Sequence, residues 1–296
     1  MISRRRFAQN SLAALIGLGA IGDAGLARGD EALAPLADQF PKIEADSGGR
    51  LGVAVLDTQT GELAGHRVDE RFPICSTFKL LAAAATLARV DADKERLDRR
   101  IDIKPSDILS YAPVAKQHVG DGMSVAELCE AAITLSDNSA ANLLLKDLGG
   151  PAAITEYARS LGDEFTRLDR IEPDLNDAEP KDPRDTTTPA AMAKNLRLLT
   201  TGAALSPASR DQLIAWLVAC KTGDAKLRAG LPKTWRVGDK TGAGGHGSTN
   251  DVAVMWPANR DPVIVAAYLT ETTASDDKRN AALAAIGHAV AAALTG

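Results

Sequence analysis

The chain has 296 residues, 45% hydrophobic and 25% charged, with three cysteines and a formal net charge of −5. That is enough for one large domain or two closely packed ones, and it is neither a disordered nor a disulfide-scaffold composition. An acidic balance argues against nucleic acid as a partner, because a phosphate backbone demands positive charge.

The first residues read as an export signal. Ser3-Arg4-Arg5-Arg6-Phe7 is a basic segment with a twin arginine, Ser11 to Ala20 is a short apolar run, and Ala27 is a candidate cleavage point. The run is too short to span a bilayer. The pattern resembles a twin-arginine export signal, which delivers folded proteins. The expectation is a periplasmic or secreted protein that loses residues 1–27 and has no stable membrane association afterwards. A protein folded before export needs no disulfide, and an odd cysteine count leaves at least one thiol free. Cys75 is expected to be a small buried hydrophobe. His66, His118, His246 and His288 form no His-x-His or His-Glu-x-x-His cluster, so no metal and no cofactor are expected.

Along the rest of the chain, about Pro35 to Ser47 reads as an amphipathic helix. Leu51–Asp57 and Leu63–Arg67 read as a hairpin around Thr58-Gln59-Thr60-Gly61. After Pro73 the pattern becomes helical for more than a hundred residues, with segments at Thr77–Arg89, Val125–Leu135, Ser139–Leu148 and Pro151–Leu161. Pro173 to Pro189 is a proline-rich charged loop with no helical period, which an Arg170–Asp185 ion pair can close. Helices resume at Pro189–Leu199 and Pro207–Cys220, the second stopped by Gly223. Trp235–Thr241, Asp251–Trp256 and Val263–Thr270 then read as strands with short links, hence antiparallel, and Asp276 to Leu294 as a last helix. The expected fold is α/β of the α+β kind. Both chain ends, 28–67 and 219–296, form an antiparallel sheet with flanking helices. An all-helical domain, 68–218, is inserted between them and includes the 170–185 loop. The active site is expected at their interface.

Four short groups carry chemistry. Ser76 and Lys79 in Cys75-Ser76-Thr77-Phe78-Lys79 share a face if the segment is helical, and the apolar run after them makes a charged lysine there anomalous. A lysine with a depressed pKa is one way to activate a serine; a serine N-cap beside a snorkelling lysine is the plain alternative. Ser136-Asp137-Asn138 lies between two helices. Lys240-Thr241-Gly242 lies on a strand running into Ala243-Gly244-Gly245, where an inward lysine beside glycine suits an anion. Lys221-Thr222-Gly223 has the same letters but follows a helix and reads as its C-terminal cap. Glu172-Pro173-Asp174-Leu175-Asn176 sits in the long loop.

Ser-x-x-Lys, Ser-Asp-Asn and Lys-Thr-Gly in this order are the signature of class A β-lactamases and penicillin-binding proteins. The sequence resembles a class A serine β-lactamase over nearly all the chain after the signal, including Tyr111 before Ala112-Pro113-Val114 and Arg170-Ile171-Glu172. The resemblance implies hydrolysis of penicillins and cephalosporins through a serine acyl-enzyme, by a monomer with only the small β-lactam as partner. It implies that Ser76 attacks the lactam carbonyl and that Lys79 or Glu172 takes its proton. The N–H groups of Ser76 and Ala243 form the oxyanion hole. Ser136 passes a proton to the leaving nitrogen. Asn138, with Tyr111 and Gly242, holds the substrate, and Lys240 and Thr241 receive its carboxylate. Glu172 and Asn176 hold the hydrolytic water. Carbapenem-hydrolysing members often have a disulfide between the positions of Cys75 and Gly244, which glycine forbids here. Many members have an arginine at the position of Thr249 or of Lys226; Lys226 is then the candidate second carboxylate anchor, with Arg279 competing. The alternatives are a D-alanyl-D-alanine peptidase, against which Glu172 and Asn176 argue, and a non-catalytic β-lactam sensor.

Overall fold

The computed structural model describes residues 32–295, so the export signal lies outside the described residues. Helix α1 (Leu36–Ser47) buries Leu36 and Phe40 and ends at Gly48, whose φ of 68° is the left-handed cap glycine tolerates best. Strands β1 (Arg50–Asp57) and β2 (Leu63–His66) form the expected hairpin. A two-residue strand β3 (Phe72–Pro73) precedes α2 (Phe78–Asp91). Short strands β4 (Arg100–Ile101) and β5 (Met123–Ser124) pair with each other. Then come α3 (Val125–Thr134), α4 (Asn138–Leu148) and α5 (Pro151–Ser160), the long loop, β6 (Thr186–Thr187) paired with β3, α6 (Pro189–Thr200) and α7 (Pro207–Val218). Strands β7 (Arg236–Ala243), β8 (Thr249–Trp256) and β9 (Val263–Thr270) lead into α8 (Asp276–Thr295).

The five long strands form one antiparallel sheet in the order β2-β1-β9-β8-β7. Both chain ends therefore meet in one sheet, as the sequence predicts, with Arg50 of β1 opposite Thr270 of β9. All eight residues of β9 are buried, so its two faces serve two cores. Val263, Val265, Ala267 and Leu269 join Phe40, Leu283, Ile286 and Val290 from α1 and α8. Ile264, Ala266 and Tyr268 face the other core, with Met192 of α6 and the residues of α2. This is the period-2 alternation of a strand buried on both sides. Helix α2 runs through the second core, with every residue from Phe78 to Leu87 buried. Burial of Phe78, Leu80, Leu81 and Leu87 stabilises it by roughly 1.5–3 kcal/mol each.

Two expectations need correction. The middle of the chain is not purely helical, because the pairs β4–β5 and β3–β6 lie within it; two-residue strands are too short to leave a period in the sequence. Helix α7 stops at Val218, well before Gly223. The chain turns away there because Lys221 N–H bonds Thr134 O at 2.9 Å. Gly223 lies against β7, where a Cβ would come within 2.1 Å of Asp239 Oδ2. Glycine is needed there for close approach, not to cap a helix.

Candidate active site

Ser76 sits in a single 3-10 turn, Cys75–Thr77, just before α2. Cys75 has φ 44°, an uncommon left-handed conformation for a residue with a side chain. The turn is tied down by Thr77 Oγ1 donating to Ile74 O at 2.6 Å. It is also held from β8, where Asn250 Nδ2 donates to Pro73 O at 2.9 Å. Lys79, one turn further on, is fully buried. Its Nζ donates to Asn138 Oδ1 at 2.6 Å, to Ser136 O at 2.9 Å and to Ser136 Oγ at 3.3 Å. It also lies 2.9 Å from Glu172 Oε1. The same Glu172 oxygen accepts the Ser76 hydroxyl at 3.2 Å. Burial pushes the Lys79 ammonium below its ordinary pKa, and the Glu172 carboxylate opposes that shift.

Glu172 arrives on the long loop, which Arg170 and Asp185 close as expected, Nε to Oδ2 at 2.6 Å. Buried Asp185 also accepts the N–H groups of Asp169 and Arg170 at 2.7 and 2.9 Å, satisfying its desolvated charge. Asn142 of α4 accepts Glu172 N–H at 2.9 Å and donates to Glu172 O at 2.8 Å. Asn176 Nδ2 bonds Glu172 Oε2 at 2.5 Å, while the buried Asn176 Oδ1 meets no donor among the described residues.

Asp137 is the N-cap of α4, its Oδ1 accepting Ala140 N–H at 2.9 Å. Its Oδ2 accepts the N–H groups of Val114 and Ala115, both at 2.9 Å, and so locks the Tyr111 segment to α4. Ser136 just before it has φ 57°. From β7, Lys240 Nζ donates to Ser136 Oγ at 3.1 Å and to Thr241 O at 2.8 Å. The Ser136 hydroxyl thus lies between two lysines. Burial, with the like charge of Lys79 acting the same way, pushes Lys240 down to about 8.

These elements enclose a cleft of about 380 Å³. Ser76, Tyr111, Ser136, Asn138, Asn176, Lys226, Thr241, Gly242 and Ala243 wall it. Lys79, Glu172 and Lys240 lie buried around it, linked to Ser76 and Ser136 by the hydrogen bonds above. Gly242 lets β7 approach the Cys75–Thr77 turn, since a Cβ there would sit 3.2 Å from Cys75 Cβ. Cys75 itself is a buried free thiol, and burial pushes its pKa up to about 12. Gly244 lies against it, where a Cβ would come within 2.8 Å of Sγ. Lys226 Nζ donates to Asn280 Oδ1 at 2.5 Å. Burial lowers its pKa; Asp251 opposes the shift and Arg279 adds to it. Arg279 is committed to Thr249 Oγ1 at 3.1 Å, to Ala274 O and to Asp276, and does not wall the cleft.

Sequence reasoning missed Asn142 and Thr222. Asn142 lies four residues after Asn138, one turn along the same helix face, and that spacing could have found it. Thr222 walls the cleft although its Lys-Thr-Gly reads as a helix cap, and nothing local marks it. Among the described residues no group of three or more His, Cys, Asp and Glu is placed to hold a metal ion.

A family model described as the Beta-lactamase enzyme family matches residues 35–294. The β-lactamase Toho-1 of Escherichia coli is 51% identical over 247 residues, 83% of this chain and 85% of that protein. The β-lactamase L2 of Stenotrophomonas maltophilia is 46% identical over 295 residues, 97% of each. Among solved structures, an ancestral class A β-lactamase is 66% identical, with a TM-score of 0.85 over 86% of this chain and 98% of the other.

Proposed function

The chain belongs to the class A serine β-lactamases and hydrolyses the β-lactam ring, the activity behind antibiotic resistance, and from that premise we propose how its own residues do so. The observation that carries the proposal is the shared oxygen: Ser76 Oγ and Lys79 Nζ both meet Glu172 Oε1.

Ser76 attacks the lactam carbonyl. Its hydroxyl already donates to Glu172, which favours Glu172 as the group that takes the proton. The N–H groups of Ser76 and Ala243 hold the developing oxyanion. Ser136, bonded to both Lys79 and Lys240, gives a proton to the departing nitrogen, and Lys79 resupplies it from the Glu172 side. Lys240 and Thr241 receive the substrate carboxylate, Lys226 acts as the second cation, and Asn138 with Tyr111 and Gly242 orients the substrate. The product of the first stage is an ester on Ser76. Glu172 then takes a proton from a water as that water attacks the ester, with Asn176 Oδ1 as the water's second acceptor, and returns the proton to Ser76 Oγ as the ester C–O bond breaks. Purified protein with nitrocefin tests the scheme. Continuous turnover is expected; a single stoichiometric burst would mean that Glu172 and Asn176 do not deacylate.

The sheet-forming ends and the inserted helical block are proposed as two domains, 28–67 with 219–296 and 68–218, with the cleft between them. Support comes from the core against α1 and α8, which draws only on residues from the two chain ends. Monomeric action is proposed, and sedimentation at assay concentration checks it. Export by the twin-arginine route is proposed from Arg4 and Arg5. Replacing Arg4, Arg5 and Arg6 by lysine should leave activity in the cytoplasm, and unchanged periplasmic activity would refute it. Among the described residues no helix is long and apolar enough to cross a membrane.

A further inference from the structure

We propose that Thr222 is a positioning residue for the substrate carboxylate, acting through the hydroxyl of Thr241. The inference rests on the assignment of Thr241 and Lys240 to the carboxylate made above. Thr222 Oγ1 and Thr241 Oγ1 are 2.6 Å apart. Thr222 walls the same cleft as Thr241. The segment that carries it is fixed on both sides. Lys221 N–H bonds Thr134 O at 2.9 Å, and Lys226 N–H bonds Gly223 O at 2.9 Å. Gly223 brings the segment against Asp239, the neighbour of Lys240 on β7. The threonine pair is therefore built by the fold rather than by two mobile side chains.

A hydroxyl has one proton to give and two lone pairs. In the free protein either threonine can be the donor of the pair. A carboxylate accepts only, so once it takes the Thr241 proton, the bond between the threonines must be donated by Thr222. Thr222 then completes a directed chain, Thr222 to Thr241 to carboxylate, in which each bond polarises the next. Cys220 Sγ lies 3.4 Å from Thr222 Oγ1. Burial pushes that thiol up to about 11, so it stays neutral at working pH and puts no competing charge beside the pair. Without the Thr222 hydroxyl, Thr241 loses the partner that keeps its own proton aimed at the substrate.

The test uses steady-state kinetics with benzylpenicillin and its methyl ester, which lacks the carboxylate charge. Thr222→Val keeps the shape and removes the hydroxyl, Thr222→Ser keeps the hydroxyl, and Thr222→Ala is a second hydroxyl-free variant should valine disturb folding. Thr222→Val is expected to raise KM for benzylpenicillin roughly three- to tenfold, the scale of one neutral hydrogen bond, with a smaller change in kcat. Thr222→Ser should stay within about twofold of the parent, well inside that scale. The ester should not respond, and Thr222→Val should add nothing in a Thr241→Val background. Equal effects on acid and ester, additive effects with Thr241→Val, or an unchanged KM would each overturn the proposal. If Thr241→Val itself leaves KM for benzylpenicillin unchanged, the carboxylate assignment fails first and the inference falls with it.

Discussion

Asn142 grips the backbone of Glu172 at both ends of one residue, accepting its N–H at 2.9 Å and donating to its carbonyl at 2.8 Å. A rigid helix thereby fixes the height at which a loop residue enters the cleft. Two hydrogen bonds to a buried residue contribute about 2 kcal/mol, so Asn142→Ala should lower Tm by roughly 4–8 °C. Deacylation should suffer more than acylation, because Glu172 would no longer be held against Asn176. Thermal melts with pre-steady-state nitrocefin kinetics check this; unchanged Tm and unchanged turnover together would remove Asn142 from the supporting structure.

The pH profile should carry the mark of Lys240. Its folded value is pushed down to about 8, so it holds its charge below that pH and loses it above. For the free protein, kcat/KM with a carboxylate-bearing penicillin should therefore fall as pH rises through about 8. Lys226 is lowered too and pulls in the same direction. The methyl ester has no carboxylate to hold, so its profile should lack that limb. An identical alkaline limb with acid and ester would assign it to another group, Lys79 first.

Lys226 and Arg279 compete for the place of second anchor, and the geometry favours Lys226. Among the described residues it walls the cleft with one side-chain hydrogen bond, to Asn280, whereas Arg279 is committed to Thr249, Ala274 and Asp276. Lys226→Ala should lower kcat/KM for penicillins by roughly tenfold or more, the scale of one charge-assisted hydrogen bond. Lys226→Arg should hold or raise it, since the guanidinium adds a bidentate fork. An alanine variant within about twofold of the parent, with a larger loss in Arg279→Ala, would reverse the choice.

What the sequence made legible follows from the range over which each feature is encoded. Ser76 and Lys79 are three apart in the chain, so a local helical reading puts them on one face, and Lys240 and Thr241 are adjacent in one short motif. The strands of the sheet are visible because β1, β8 and β9 contain the apolar runs Leu51–Leu56, Val252–Trp256 and Val263–Leu269 beside turn signals. The end of α7 is not legible in the sequence, because Gly223 carries the usual stop signal of a glycine after a helix. Its actual task is close approach to Asp239, a contact on a strand 16 residues away that no local pattern records. The same long-range packing brings Thr222 into the cleft. Asn142 was overlooked for a different reason, since an asparagine inside a helix is ordinary until its loop partner is known.

Ser76 is proposed to form an ester that Glu172 helps to hydrolyse. The most direct measurement is intact-mass spectrometry of the Glu172→Ala protein after incubation with benzylpenicillin, followed by peptide mapping. One penicilloyl adduct per chain is expected, located on the peptide that contains Ser76, with slow release. Unmodified protein accompanied by free hydrolysed product, or an adduct mapped to any other residue, would contradict it.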